Sequence, residues 1–170
     1  MKTALFLIAK ENFRDEELFE PKKILETAGI KTVITSTESG TAKGSRGRTA
    51  QIDLPIRNVH IEDYDILILI GGPGAVALAD YKEVIDLVKR AKELGKKLAA
   101  ICIAPYILAK SGVLTGKKAT SFPSEPAITE FVNQEVIRIQ EPVVEDIDLV
   151  TADGPTSAKD FGQKIIKMLE

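Results

Sequence analysis

The sequence has little of the two side chains that most often build metal centres and disulfides. Among its 170 residues there is one cysteine, Cys102, and one histidine, His60. A single cysteine cannot form an internal disulfide, and one cysteine with one histidine cannot build a Cys/His zinc site. We therefore expect no metal and no cofactor, and Cys102 is free either to react or to pack.

The sequence also lacks long apolar runs and blocks of like charge. No stretch approaches the roughly 20 apolar residues that a membrane span requires. The formal net charge is -2, with Lys and Arg spread among Asp and Glu, so no basic stripe can follow a phosphate backbone. The apolar stretch in residues 1–10 is too short for a secretory signal, which favours a buried first strand. We expect a cytoplasmic protein that binds neither membrane nor nucleic acid.

The composition that remains is that of a globular domain. Apolar residues make up 44% of the chain and charged residues 28%, with enough Ile, Leu and Val to fill a sizeable core. Single cores typically grow to roughly 100–200 residues before chains divide. The sequence therefore predicts one domain over residues 1–170.

Strand and helix patterns alternate along the chain. Apolar or β-branched runs predict strands at residues 4–8, 31–35, 65–70, 97–101, 118–122, 136–139 and 148–151. Apolar residues at helical spacing predict helices at residues 14–28, 81–94, 105–110, 127–133 and 157–169. Residues 36–50 are rich in Gly, Ser, Thr and Arg and indicate a loop or small hairpin. This order predicts an α/β fold, with a doubly wound, mostly parallel sheet and helices on both faces.

A sheet of this kind binds ligands beyond the carboxyl ends of its strands. The first, third and fourth predicted strands are followed by residues 11–17, 71–74 and 102–105, so these segments should converge on one site. His60 comes before the third strand, at the opposite end, and we expect it on the surface away from the site.

Cys102 is the strongest candidate for a reactive residue. It follows the strand at residues 97–101 and precedes a helix that Pro105 can open. At such an elbow the sulfur should meet the positive end of the helix dipole, which favours the nucleophilic thiolate. The alternative is that Cys102, flanked by Ile101 and Ile103, is a small buried hydrophobe.

A glycine-rich turn follows the most apolar strand. Gly71-Gly72-Pro73-Gly74 could place a backbone N–H near a bound oxyanion, with the N–H of Ile103 as its partner. A nucleotide site is disfavoured, because the glycines do not match GxGxxG and no Lys-Ser or Lys-Thr follows them. The alternative is a tight turn without a ligand.

Acidic residues lie at the start of the first predicted helix. The periodicity places Glu17 beside Leu18, where it can face inward while Glu16 and Glu20 face water. A carboxyl held beside a thiol has reason to stay protonated and to donate a hydrogen bond. The alternative is a solvated acidic face.

Several of these motifs together resemble the superfamily named for DJ-1 and PfpI. The motifs are Ile70-Gly71-Gly72, Ala100-Ile101-Cys102-Ile103-Ala104-Pro105, Asp15-Glu16-Glu17-Leu18 with Pro21, Tyr64-Asp65, residues 117–123 (KKATSFP) and Gly154-Pro155-Thr156-Ser157. The resemblance spans nearly the whole chain. It implies a flavodoxin-like fold, similar to class I glutamine amidotransferases, and a homodimer or higher homo-oligomer.

The resemblance also implies roles for individual residues. Cys102 matches the family nucleophile and Glu17 its partner carboxyl, while Gly72 and Ile103 match the amides near a bound oxyanion. Arg46 falls near a family basic residue that can approach the site across a dimer interface. We also count Gly71, Phe122 and Tyr106 as possible pocket residues.

Departures from the family pattern separate the possible functions. PfpI-type peptidases have a histidine after the cysteine, where this chain has Ile103, and a glutamate after the Gly-Gly turn, where it has Gly74-Ala75-Val76. DJ-1 has a histidine where this chain has Phe122. The site therefore resembles that of DJ-1 more than that of a PfpI peptidase. It consists of a cysteine and a glutamate in an apolar pocket.

Three functions follow from these matches and departures. The first is an enzyme of the glyoxalase or deglycase type that acts on small reactive carbonyls through Cys102 and Glu17. The second is a redox sensor or stress-protective protein in which an oxidant converts Cys102 to a sulfinate. The third is an intracellular cysteine peptidase, which the missing histidine disfavours because the leaving amine needs a proton.

Overall fold

The computed structural model describes residues 1–170 and contains twelve strands and six α-helices. The strands are β1 (Thr3–Leu7), β2 (Glu11–Phe13), β3 (Lys31–Ser36), β4 (Gly40–Gly44), β5 (Thr49–Ile52), β6 (Leu54–Pro55), β7 (Ile66–Leu69), β8 (Lys97–Ile101), β9 (Lys118–Ala119), β10 (Ile137–Arg138), β11 (Val143–Asp146) and β12 (Leu149–Ala152). The helices are α1 (Asp15–Thr27), α2 (Ala75–Leu78), α3 (Lys82–Glu93), α4 (Pro105–Lys110), α5 (Glu125–Asn133) and α6 (Ala158–Leu169). No helix is long and apolar enough to cross a bilayer.

Seven strands form the central sheet, in the order β11-β12-β8-β7-β1-β3-β6. Every pairing is parallel except that of β11 with β12, which is antiparallel. The inner strands β1, β7 and β8 are almost continuously apolar, as strands covered on both faces must be. The predicted doubly wound, mostly parallel sheet is confirmed.

Alternate residues of each inner strand supply two separate cores. In β1, Leu5 and Leu7 belong to the core that includes residues of α3 and α4, whereas Ala4 and Phe6 belong to the core that includes residues of α1 and α6. This division follows from the two-residue period of a strand, which directs successive side chains to opposite faces. Both faces of the sheet are therefore buried, which holds the strand ends in fixed positions.

Most predicted elements agree with the structure to within a few residues, and several short ones were missed. The predicted strand at residues 118–122 is wrong in length, because β9 contains only Lys118–Ala119 and residues 120–122 instead run as irregular backbone into the site. The loop-or-hairpin segment forms the β4–β5 hairpin. Strands β2, β6 and β11 and helix α2 were not predicted, since their two to four residues are too short for periodicity to reveal.

The strand order reverses between β1 and β7. From β1 the chain pairs β3 on one side, and it later returns to pair β7 on the other side of β1. The carboxyl ends of these neighbouring strands diverge into loops, which leaves a crevice where α/β proteins bind ligands. The segments after β1, β7 and β8 meet there, as the sequence predicts.

A buried carboxylate fixes the β4–β5 hairpin to the start of α1. The two carboxylate oxygens of Asp15 accept hydrogen bonds from the backbone N–H groups of Arg46 (2.9 Å) and Arg48 (2.8 Å). A side chain at Gly44 would begin 2.2 Å from the same carboxylate, so only glycine fits. The Arg48 guanidinium also covers the ring of Phe19, at 3.6 Å from its centroid. The hairpin is therefore joined to the helix that carries Glu17.

Replacement of Asp15 with alanine should detach this hairpin. We expect Asp15→Ala to lower the free energy of unfolding by about 2–3 kcal/mol, because it removes two charge-assisted hydrogen bonds and leaves two amides without partners. Asp160→Ala is the matched control, since Asp160 is an exposed acid in the first turn of α6, and it should cost at most about 0.5 kcal/mol. Denaturant unfolding of both variants measures the difference, and equal losses would contradict the anchoring role.

Candidate active site

Cys102 adopts a strained backbone conformation between β8 and α4. Its φ of 63° lies in the left-handed region, which side chains other than glycine rarely adopt. Neighbouring segments hold it there, because the Cys102 N–H donates to the carbonyl of Ala152 (2.8 Å) and its carbonyl accepts from the N–H of Phe122 (2.7 Å). Such strain persists only where surrounding structure enforces it, and it is concentrated at functional sites.

Glu17 lies beside Cys102 and is fully buried, at 0% exposure. Gly71 makes this approach possible: a Cβ at position 71 would lie 2.7 Å from Glu17 Oε1 and 2.8 Å from Cys102 Cβ. Any larger residue at 71 would push the carboxyl and the cysteine apart. The prediction that Glu17 faces inward is confirmed, while Glu16 and Glu20 remain partly exposed.

Hydrogen bonds join the loop after β1 to the glycine turn after β7. The Arg14 N–H donates to the carbonyl of Gly71 (2.9 Å), and the Gly74 N–H donates to that of Asn12 (3.0 Å). Gly72 has a φ of 109°, and a Cβ there would lie 2.4 Å from the Arg14 nitrogen. A glycine at position 72 is therefore required both by its conformation and by this close approach.

Burial raises the pKa of Glu17 to about 8. Neither carboxyl oxygen has a hydrogen-bonding partner of good geometry. The Cys102 thiol, the Arg14 charge and the Gly71 amide favour the ionised form, but they do not offset the burial. Glu17 therefore carries a proton at neutral pH.

Burial, followed by the charge of Glu17, raises the pKa of the Cys102 thiol to about 12. The backbone amides of Ile103 and Gly72 act in the opposite direction and lower the pKa of the thiol. The prediction that the environment of Cys102 favours the thiolate is therefore wrong, because the pKa of the thiol is raised. Helix α4 has only six residues and begins at Pro105, whereas burial and the carboxylate act directly on the sulfur.

The effect of Glu17 on Cys102 depends on which of the two groups holds the proton. An ionised carboxylate repels a thiolate, but a protonated carboxyl can donate a hydrogen bond to it. The two groups therefore titrate as a coupled pair, and a thiolate at position 102 is favoured only while Glu17 is protonated.

An open pocket of about 330 Å³ lies over the cysteine. The lining residues are Arg14, Gly72, Pro73, Val76, Cys102, Ile103, Phe122, Ser124 and Pro155. Most of these residues are apolar, and Phe122 is 48% exposed at the pocket wall. Cys102 is itself half-buried, so a small molecule can reach its sulfur.

The remaining candidate residues lie outside this pocket. Tyr106 packs against a small cluster that includes Ala75 and Ile103, and it does not line the pocket. Arg46 is exposed in the hairpin turn and does not line the pocket of its own chain; its approach across a dimer interface stays a prediction. His60 is exposed and precedes β7 at the amino end, away from Cys102.

The sequence did not single out Arg14, Pro73, Val76, Ser124 or Pro155 as pocket residues, and Arg14 is the charged one among them. Arg14 lines the pocket, and its Nε donates to Glu16 Oε2 at 2.6 Å. The signal was present in the sequence, because Arg14 belongs to the converging segment of residues 11–17. A lone arginine among four acidic residues, however, is typical of a surface ion pair.

The chain is an α/β protein in which a cysteine lies at a strained turn between a strand and a helix, at the carboxyl edge of a mostly parallel sheet. A model of the DJ-1/PfpI family matches residues 2–168, and the chain belongs to this family. The family resemblance stated from the sequence is confirmed.

Comparison with known proteins gives the same assignment. The chain is 32% identical to a deglycase of Pyrococcus horikoshii, over 98% of each chain. It is 25% identical to a glutathione-independent glyoxalase of Caenorhabditis elegans, over 99% of this chain and 89% of the relative. The crystal structure of a ThiJ/PfpI domain protein from Brachyspira murdochii matches with a TM-score of 0.94 and 34% identity, over 98% of this chain and 95% of that one.

The raised pKa of Glu17 predicts a pH dependence of stability that Glu17→Gln should abolish. The folded chain holds a proton on Glu17 up to about pH 8, whereas the unfolded chain loses it near pH 4.5. Between these values the folded state binds more protons, so the contribution of Glu17 is fully present below pH 4.5 and is lost as the pH rises to about 8.

Wild type should therefore lose unfolding free energy relative to Glu17→Gln across this window, by at most about 1.4 kcal/mol per pH unit. Denaturant unfolding of both proteins at several pH values measures the difference, in which the other titrating groups largely cancel. A constant difference between pH 5 and pH 8 would show that Glu17 is ionised in the folded protein.

Proposed function

We propose that the chain is a cysteine-dependent enzyme that acts on small reactive carbonyls, in the manner of a glyoxalase or deglycase. One observation supports this most directly: the fully buried Glu17 carboxyl lies beside a half-buried cysteine at an open pocket of about 330 Å³. A pocket of this size accepts a small aldehyde.

The first chemical step is the addition of Cys102 to an aldehyde carbon. The thiol gives its proton to water while Glu17 keeps its own. The resulting thiolate forms a carbon–sulfur bond, and the electron pair of the C=O π bond moves to oxygen. The amides of Gly72 and Ile103, which lower the pKa of the thiol, can donate to the developing oxyanion and stabilise it. Protonated Glu17 then supplies a proton to that oxygen, and the product is a hemithioacetal.

The second step is an internal proton transfer on a 2-oxo aldehyde such as methylglyoxal. Ionised Glu17 takes the proton from the hemithioacetal carbon and returns it to the neighbouring carbon, while the hydroxyl proton passes from the first oxygen to the oxygen on that neighbouring carbon. The adduct becomes a thioester without a net change of oxidation state. Water then cleaves the thioester, which releases a 2-hydroxy acid and regenerates the thiol. All atoms come from the substrate and one water molecule.

The names of the relatives support this chemistry. Among proteins similar to the chain over nearly its full length, one is named a deglycase and another a glutathione-independent glyoxalase. Both names describe activity on reactive carbonyls or their products. We expect slow turnover, because a single carboxyl must serve as both acid and base.

Peptide-bond cleavage is less well supported. The leaving amine needs a proton, and the only histidine, His60, is exposed at the amino end of β7. Ile103 occupies the position after the cysteine, and residues 75–79, which follow the glycine turn, carry no carboxylate.

An oxidation-sensing cysteine is the second candidate, and the surroundings of the sulfur favour it. Cys102 is accessible, and two amides and a protonated carboxyl could bind the oxygens of a sulfinate. Stabilisation of this kind would stop oxidation by peroxide at two added oxygens. A sensor requires no carbonyl substrate.

Turnover of methylglyoxal separates the two candidates. We expect wild type to produce a hydroxy acid, and Cys102→Ser and Glu17→Gln to lose at least about 100-fold in kcat, because one removes the nucleophile and the other the proton carrier. Glu20→Gln is the control, since Glu20 is a partly exposed glutamate on the same helix, and it should retain the wild-type rate.

The mass of Cys102 after mild peroxide completes this experiment. If wild type shows no turnover, and if oxidation stops at two added oxygens only while Glu17 is present, the result would support the sensor and contradict the enzyme. An undiminished rate in Cys102→Ser would contradict both candidates.

A further inference from the structure

Arg14 is the only charged residue that lines the pocket over Cys102. The other lining side chains are apolar, apart from Ser124 and the cysteine itself, and no carboxylate lines the pocket. Arg14 therefore places a positive charge at this otherwise apolar pocket, and the ion pair with Glu16 offsets part of that charge. In surroundings of low polarity such a charge attracts an anion more strongly than it would in water.

The Arg14 guanidinium is held in place by a hydrogen bond, and its terminal nitrogens remain able to bind a ligand. Its Nε donates to Glu16 Oε2, which fixes the plane of the group, and the side chain is only 25% exposed. The two terminal nitrogens make no hydrogen bond within the chain. Two free N–H groups on a fixed plane match the two oxygens of a carboxylate.

Arg14 is also close to the reacting groups. Its pKa is raised chiefly by the hydrogen bond to Glu16, with smaller contributions from the charges of Glu17 and Cys102. Its backbone N–H bonds the Gly71 carbonyl, which ties residue 14 to the turn that borders the cysteine. Arg14 and Cys102 thus line one pocket of about 330 Å³, which a small ligand can enter.

We propose that Arg14 is the specificity-determining residue of this pocket and that it binds the carboxylate of small 2-oxo or 2-hydroxy monocarboxylates. The carboxylate pairs with the terminal nitrogens of Arg14, and the apolar substituent of the ligand packs on Val76, Phe122 and Pro155. This inference rests on the proposed function, because the 2-hydroxy acid released by that reaction is such a ligand. It adds that carbonyl compounds with their own carboxylate are preferred over neutral ones of equal size.

Protection of Cys102 from alkylation tests the inference without requiring turnover. Iodoacetamide, which is neutral, alkylates Cys102, and the rate is measured with and without lactate or lactamide. Lactamide is the control ligand, since it matches lactate in size and lacks the charge. For each variant, the alkylation rate with the added compound is divided by the rate without it, because removal of the arginine also changes the basal reactivity of the thiol.

We expect lactate to protect wild type and lactamide to give little protection at the same concentration. Arg14→Gln should weaken protection by lactate about tenfold or more, and Arg14→Lys, which keeps the charge but not the planar pair of donors, should fall between. Arg57→Gln is the matched control, because Arg57 is exposed and lies outside the pocket. It should behave like wild type.

Equal protection by lactate and lactamide, or equal effects of Arg14→Gln and Arg57→Gln, would overturn the inference. Methylglyoxal turnover without Arg14-dependent protection would overturn it and leave the proposed function intact. Arg14-dependent protection without turnover would support the anion site and overturn the proposed enzyme.

Discussion

The burial of one carboxyl beside one thiol is the constraint on which the rest of the site depends. Glu17 is inaccessible to solvent and has no well-placed donor, so the pair cannot carry two negative charges at moderate cost. Gly71 lets the two side chains approach, and the backbone bonds from Cys102 to Ala152 and Phe122 hold the strained elbow against the carboxyl. At neutral pH both groups therefore hold their protons, and Cys102 becomes a nucleophile only in the form that has lost the thiol proton while Glu17 keeps its own.

Features that depend on long-range periodicity could be predicted from the sequence. The inner strands are buried on both faces and the helices α1, α3 and α6 on one, and the spacing of their apolar residues predicts this burial. The same reasoning predicted that Glu17 faces inward and that three loops converge. It failed where a single local contact decides the outcome: the short strand β9, the position of Tyr106 outside the pocket and the placement of Arg14 within it.

The direction in which the pKa of the Cys102 thiol is shifted could not be predicted for a related reason. The elbow and the helix after it are visible in the sequence, and a helix amino terminus favours a thiolate. The opposing contributions, burial of the sulfur and the nearby carboxylate, arise from residues 85 positions apart that are brought together only by the fold. Arg14 adds a positive charge at the same place, so the pocket combines an acid that holds its proton with a cation that can bind an anion.

The protonation state of Glu17 can be observed directly by infrared spectroscopy. The C=O stretch of a protonated carboxyl is separate from the bands of an ionised carboxylate, and a difference spectrum between wild type and Glu17→Gln isolates that of Glu17. The account predicts a protonated band at neutral pH that disappears as the pH rises through about 8. A carboxylate band already present at pH 6 would contradict the protonated Glu17 on which the proposed chemistry depends.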